Sequence, residues 1–333
     1  MWDTIVLGSG IAGLTAAAAL AHRGQRVLVL EQHLTPGGQT QAFQRQGWSF
    51  ATGVHYIGGV GPMPGPDGQF GRLLAWLSND QLAFAPCGNP YDIVRLPGLE
   101  FGIEHPEAAY RQRLLDRFPN QRQAIDRWFE QMEQARRAAM SLFAMRGMPA
   151  PLAWGLKLWR GAEVEAMSRR TLAEALAEVP DAQLRAILGA RWGDYGAPPE
   201  HAPLLEHALV TGSYNAGAWF PVGGPARFAH TLLAVVQGAG GSIELGASAE
   251  RIVVQGGRVT GVDFVQQGQR HRARAPQVIS AIGAPNTAAC LGESVAAQWR
   301  TELRSFRPGL AYLSLYLGLE GDIEAAGASA ANV

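Results

Sequence analysis

Gly8, Gly10 and Gly13 stand at the spacing Gly-x-Gly-x-x-Gly, and an acidic residue, Glu31, follows one strand later. These residue types at this spacing suit the grip of a dinucleotide. Gly8 permits a tight turn, Gly10 lets the backbone approach a pyrophosphate, and Gly13 lets a helix pack closely on a strand. Ile11 and Ala12 open that helix, whose free N–H groups and partial positive charge face the phosphates. Glu31, with Gln32 beside it, is placed to accept a ribose hydroxyl. The positioning elements are written around these residues. Residues 4–7 form a short apolar run read as a buried strand, and residues 14–22 are uncharged and helix-forming. After a break at Gly24, residues 26–30 form a second strand that ends on Glu31. Among 41 glycines a lone match would mean little; strand, helix and terminal acid together make it specific. Ala17 falls on the sheet-facing side of the helix, where only a small side chain fits.

At 333 residues the chain has room for about two domains. Hydrophobic residues make up 47% and charged residues 17%, below the usual figure of about 25%, which suits a large interior with an apolar cavity. Basic and acidic residues balance at 28 each, so no nucleic-acid partner is implied. Lys157 is the sole lysine, which speaks against a P-loop and against Schiff-base chemistry. Cys87 and Cys290 are isolated and the eight histidines form no ligand pattern, so neither a disulfide framework nor a metal site is expected. A reducing, cytoplasmic compartment follows. The uncharged run 4–22 has the composition of a membrane span, but Asp3 precedes it and its glycines keep fingerprint spacing. The expectation is a protein that is soluble or peripheral to a membrane.

Further along, Gly37-Gly38 allows the backbone to run close to a large ligand, and residues 61–68 read as a Pro/Gly loop. Residues 92–96 and 99–103 flank Pro97-Gly98 as a β-hairpin. Helices are expected at 70–78, 107–118, 120–146 (capped by Asn120), 169–179, 181–190 and 201–212. Pro225 opens another helix, followed by a strand at 242–245, a hairpin around Gly256-Gly257 and an apolar strand at 278–281 that returns the chain to the first sheet. Residues 145–159, including Met145, Met148, Trp154 and Trp159, carry few charges and two prolines that spoil a continuous amphipathic helix. They read either as a buried lid over a pocket or as a segment dipping into a membrane surface.

Glu31-Gln32-His33, Pro36-Gly37-Gly38 and Thr52-Gly53-Val54-His55-Tyr56-Ile57-Gly58 make the sequence recognisable. It resembles the FAD-dependent phytoene desaturase, carotenoid isomerase and retinol saturase family, closest to the retinol saturase branch. The resemblance continues through Trp192-Gly193-Asp194-Tyr195-Gly196, Phe220-Pro221-Val222-Gly223-Gly224 and Arg307-Pro308-Gly309-Leu310. It implies an α/β fold, a glutathione-reductase-type doubly wound FAD-binding domain with an inserted helical and mixed substrate domain. The FAD domain would comprise residues 1–70 and 218–290, and the substrate domain residues 71–217 and 291–333. Family members continue further at the C-terminus, so the resemblance also implies a missing remainder of the FAD domain. Gly321-Asp322 with Gly327, after an expected strand at 313–317, is assigned to the substrate domain rather than to that remainder.

The resemblance carries FAD contacts onto Gly37, Gly38, Gly53, Gly58 and Ala249, the last beside adenine, and catalytic roles onto His55 and Tyr56. Either of these two would orient substrate or deliver a proton; the competing reading makes His55 a core histidine and Tyr56 a packing residue. Trp192, Tyr195, Tyr214 and Trp219 are candidates for an apolar channel. The expected activity is an FAD-dependent oxidoreductase acting on carbon–carbon bonds of an isoprenoid polyene, as saturase, desaturase or isomerase, with NAD(P)H or a quinone as redox partner. A flavin amine oxidase and a non-catalytic prenyl-binding carrier are the alternatives on the same fold. Lys157, in the Trp/Met-rich segment, is poorly placed for the pocket lysine of the former.

Overall fold

Successive apolar residues with no charge leave neither face of a strand to water, and Thr4–Leu7 is buried throughout. In the computed structural model, which describes residues 1–61, 68–294, 296–306, 309 and 311–333, it sits inside a four-stranded parallel sheet. The order is Gln277–Ser280, Thr4–Leu7, Val27–Glu31, Ser242–Leu245. The pleat sends Val6, Val27 and Val29 to one face, where they meet Ala17 and Ala21 of helix Ile11–Ala21 and Val236 of helix Ala226–Gly238. Ile5, Leu7, Leu28 and Leu30 go to the other. There they pack on Ile252, Val262 and Phe264 of the antiparallel meander Ala247–Gln255, Arg258–Gln266, Gln269–Arg274, and on Cys290 of helix Ala284–Leu291. The chain is α/β, with its sheet covered on both sides.

A second core lies in the helical block. The hairpin Asp92–Leu96 and Leu99–Ile103 turns at Pro97-Gly98 as expected, and helices Glu107–Arg117, Arg122–Gly147, Ala150–Arg169, Leu172–Leu176, Ala182–Gly189, Trp192–Tyr195 and Leu204–Ser213 follow. Leu114, Ile125, Leu172, Leu184, Ile187 and Leu204 are fully buried among them. Asp181 caps its helix by accepting from the Leu184 N–H at 2.9 Å, and Thr171 with Glu174 forms a capping box.

Four expectations change. Asn120 caps nothing, because the 3-10 turn Pro119–Gln121 precedes helix Arg122–Gly147. Residues 145–159 contain the start of a continuous 20-residue helix, Ala150–Arg169. Its prolines are harmless: Pro149 precedes the helix, and Pro151 lies in the first turn, where the missing N–H had no partner to lose. That segment is no buried lid, since Trp154 is 66% and Trp159 80% exposed. Residues 313–317 form no strand; no described residue pairs with them, and Leu313 is 99% exposed. Most of the loop 61–68, and Arg307, Pro308 and Leu310, lie outside the described residues. Among the described residues, no helix is long and apolar enough to cross a membrane.

Candidate functional site

The three fingerprint glycines differ in what surrounds them. Gly8 has φ +88° and donates its N–H to the Leu30 carbonyl at 2.8 Å, which ties the turn to the neighbouring strand. A Cβ on Gly13 would overlap the Gly8 carbonyl oxygen, so this glycine is required by helix–strand packing. A Cβ on Gly10 would meet nothing within 4 Å. Gly10 instead borders an open cleft of about 520 Å³ at the carboxyl ends of the parallel strands, lined also by Gly8, Glu31, Gln32, Gly38 and Ala249. Ile11 and Ala12 form the exposed first turn of the helix behind it.

Glu31 is 5% exposed and lies in a net of donors. The Ser9 N–H and hydroxyl donate to its Oε2 at 2.9 and 2.5 Å, and the His33 N–H donates to Oε1 at 2.8 Å. Burial by itself would raise the carboxyl, but the bonds from His33 and Ser9 outweigh it and hold the group below the usual carboxylate range. Glu31 therefore pins the glycine loop to its strand, while Oε1, with a single protein donor, keeps accepting capacity toward the cleft.

The Gly37-Gly38 turn docks on this loop. The Gly37 N–H donates to the Ser9 carbonyl at 3.1 Å, Gly37 has φ +118°, and a Cβ on Gly38 would stand 3.1 Å from the Gly10 Cα. Gly53 is one layer out, where a Cβ would meet the Gln39 Oε1 at 2.6 Å. Gly58 lies away from the cleft lining and fits against the Ser213 backbone, which a Cβ would overlap. Gly223 and Gly224, at φ +83° and +86°, lead to helix Ala226–Gly238.

His55 and Tyr56 part company. His55 is exposed, not a core histidine, and borders an open cavity of about 490 Å³ with Asp92, Arg95, Arg191 and Asp194. The Tyr56 hydroxyl donates to Asp92 Oδ2 at 3.2 Å, and its ring meets that of Tyr214 edge-on at 5.2 Å. Burial pushes the Tyr56 phenol well above its usual range, so it stays protonated.

Asp92 leads to Arg191, a residue that the sequence reading did not single out. Arg191 is 5% exposed; its guanidinium lies over the rings of Tyr214 and Tyr91, 4.3 and 5.1 Å from their centroids. Its Nη1 donates to Asp194 Oδ2 at 3.2 Å, and its Nη2 lies 3.1 Å from Asp92 Oδ2. Burial opposes the charge, yet the carboxylates of Asp92 and Asp194 help hold the group protonated. Arg191 also lines a partly open cavity in the helical block, with Tyr110, Trp128, Met132 and His207. The signal available was a lone arginine after the apolar run Leu188-Gly189-Ala190, next to the segment 192–196 already marked.

Of the four aromatic channel candidates, only Tyr214 borders that cavity. Tyr195 donates to His207 Nδ1 at 2.9 Å, Trp219 packs beside Phe228 and donates to the Ala216 carbonyl, and Trp192 is exposed. Lys157 is exposed on its helix and borders neither the cleft nor these cavities.

A family model for an NAD(P)-binding Rossmann-like domain matches residues 6–66. All-trans-retinol 13,14-reductase of Homo sapiens is 32% identical over 341 residues, covering 97% of this chain and 54% of that protein. Prolycopene isomerase 1, chloroplastic, of an Oncidium hybrid cultivar is 26% identical over 274 residues, covering 78% of this chain and 45% of that protein. The chain thus spans about half the length of the curated relatives it matches. Among solved structures, cyclohexylamine oxidase from Brevibacterium oxydans superposes with a TM-score of 0.57 at 20% identity, over 91% of this chain and 63% of that one, a likeness of fold.

Proposed function

The chain belongs to the retinol saturase and carotenoid isomerase family, and on that premise we propose that it serves an FAD-dependent oxidoreductase reaction on carbon–carbon bonds of an apolar isoprenoid polyene. Saturation, desaturation and isomerisation are the three forms of that chemistry, with NAD(P)H or a quinone as redox partner. The observation that carries the reading is the cleft in which Gly10 faces open space while Glu31 and Ala249 line the same walls. FAD, when bound, supplies hydride transfer. The first turn at Ile11 and Ala12 offers N–H groups to a pyrophosphate, Glu31 Oε1 accepts a ribose hydroxyl, Ala249 borders adenine, and Gly37 and Gly38 let the chain pass close to the flavin half. Residues 1–70 and 218–290 are assigned to this grip, and residues 71–217 and 291–333 to substrate.

His55, open to solvent, is assigned proton delivery; Tyr56, tied to Asp92, positions the groups around it. The exposed Leu152, Trp154, Leu158 and Trp159 support a peripheral membrane contact through residues 145–159, where a lipid-soluble substrate would be collected. Lys157 is exposed and borders neither the cleft nor these cavities, which disfavours a flavin amine oxidase.

The test is an absorbance scan of the purified full-length protein, where bound oxidised flavin absorbs near ~450 nm. Incubation with polyenes and with amines, under reductant or quinone, follows. Flavin bleaching or reoxidation by polyenes alone is the expected result; response to amines alone, or a colourless protein that takes up no FAD, overturns the proposal.

A further inference from the structure

We propose that the open edge of the meander, strand Gln269–Arg274, is a docking site for an extended acidic segment of a partner protein, which adds to the sheet as a fourth strand.

Gln269–Arg274 ends its sheet: the order is Ala247–Gln255, Arg258–Gln266, Gln269–Arg274, with no described strand beyond it. Its backbone groups divide by residue parity. The Ala275 N–H donates inward to the Thr260 carbonyl at 3.2 Å, and the Arg274 carbonyl accepts from the Trp2 N–H on the other side at 3.0 Å. Antiparallel pairing alternates in this way, so Arg270 and Arg272, in step with Arg274, direct N–H and C=O to the open edge. Neither has a backbone partner there among the described residues. The register is held from the inner face, where His271 stacks on Phe264 at 5.3 Å and Ala273 packs against the core beneath the sheet. A free edge with a fixed register is a template for another strand.

The side chains say what kind of strand fits. Arg270, Arg272 and Arg274 alternate along the strand and so share its outer face. Asp263 stands across the ladder from Arg272, and Arg251 from Asp263; the carboxylate accepts from Arg251 at 2.8 Å and from Arg272 at 2.9 Å. Arg270 lies 3.4 Å from Glu250. Four arginines thus meet two carboxylates, and Arg274 has no ion-pair partner among the described residues. Arg251, Asp263, Arg270 and Arg272 border an open hollow of about 630 Å³. Glu250 borders both this hollow and the dinucleotide cleft, so the partner would sit beside the wall assigned above to adenine.

Opposite each outward-directed residue, an added antiparallel strand exchanges two backbone bonds and places its own side chain on the same face. A strand with carboxylates at alternate positions therefore sets them against Arg270 and Arg272 as cross-strand pairs. A basic strand would set like charges there instead.

The probe is a fluorescein-labelled octapeptide of alternating threonine and glutamate, read by anisotropy against the full-length protein beside its threonine–lysine counterpart. The acidic peptide is expected to bind about tenfold more tightly at low ionic strength, from opposite charges gained and like charges avoided, and added salt should shrink the difference. N-methylation of the glutamates keeps the charge but removes the backbone donors, and should weaken binding about tenfold. Arg270→Glu combined with Arg274→Glu leaves the Asp263 pairs intact and should invert the preference toward the lysine peptide. If that variant does not fold, Arg270→Ala, at a side chain 84% exposed, should reduce the preference to about threefold or less. Binding of neither peptide, or of both equally, makes the arginines guards of the edge against pairing and overturns the inference. An acidic preference that survives the folded variant, or undiminished binding of the N-methylated peptide, overturns it as well.

Discussion

The glycine loop and the Arg191 cluster solve opposite problems. In the loop the chemistry is done by backbone: Gly8, Gly10 and Gly13 remove side chains so that N–H groups and a helix terminus face a cleft. In the cluster it is done by side chains from four separate segments, Tyr56, Tyr91 with Asp92, Arg191 with Asp194, and Tyr214, which meet only after the helical block has folded. A backbone device must be local, because its geometry is set by neighbours in sequence. A buried ion cluster must be non-local, because a charge leaves water only when partners surround it.

The sharpest test of the local half contrasts two of its glycines. Gly13→Val is expected to abolish cooperative unfolding altogether, because even its Cβ would overlap the Gly8 carbonyl and separate helix from sheet. Gly10→Val should fold, its Cβ entering open space, and fail to take up FAD. Circular dichroism with flavin titration reads both; a stable Gly13→Val, or a fully yellow Gly10→Val, breaks the distinction between the packing glycine and the ligand glycine.

For the non-local half, Arg191→Met should cost about 3–5 kcal/mol in urea unfolding, since it removes the buried cation that the partly buried Asp92 faces. The double variant with Asp92→Asn should recover much of that loss. If the single variant costs less than about 1 kcal/mol, the cluster is not the organising charge of the block.

That contrast also explains what could be read in advance. The fingerprint, its two strands and Glu31 are legible because each depends on residues within one turn or one strand of it, and the structure returns all of them. The hairpin around Pro97-Gly98 and the helix beginning near Asp181 are legible for the same reason. Arg191 was not, because no window of sequence contains both it and Asp92. Helix Ala150–Arg169 was missed because proline was weighed without its position; in the first turn it costs nothing. Strand Gln269–Arg274 was missed because its polar residues pair with one edge of the meander and carry no apolar alternation. Gly58, expected as an FAD contact, packs closely on Ser213 and does not line the cleft.

A third expectation concerns pH. His207 is fully buried: its Nε2 faces the Leu188 carbonyl, which can only accept, so Nε2 carries the proton and Nδ1 accepts from Tyr195. Burial pushes the imidazole down to about 4. The unfolded chain therefore takes up a proton near its ordinary value of about 6.5 while the folded chain does not. Its stabilising contribution is complete above that pH and is lost as pH falls toward 4, by about 3 kcal/mol over the window. His207→Gln should flatten this slope in urea titrations at graded pH; an unchanged slope assigns the acid sensitivity elsewhere.

The smallest expected effect joins the two halves, because Glu31 is a side chain serving a backbone device. Its carboxylate accepts from Ser9 twice and from His33 once, so it fixes the loop before any ligand arrives. Glu31→Gln keeps the size and the Oε1 acceptor for His33, but turns an amide donor toward the Ser9 N–H. The expected cost is about 1.5–3 kcal/mol of stability, that of a charge-assisted hydrogen bond. Glu31 is held below the usual carboxylate range, so its share of stability is present above about pH 4.5 and fades as pH falls. The variant should remove that share and, in folded protein, also weaken FAD binding, because the ribose acceptor at Oε1 becomes a neutral amide oxygen. Should flavin affinity stay unchanged while stability drops, Glu31 acts only on the loop and the ribose contact lies elsewhere on the cleft wall. Loss of affinity at full stability would place the carboxylate's work in the ligand alone.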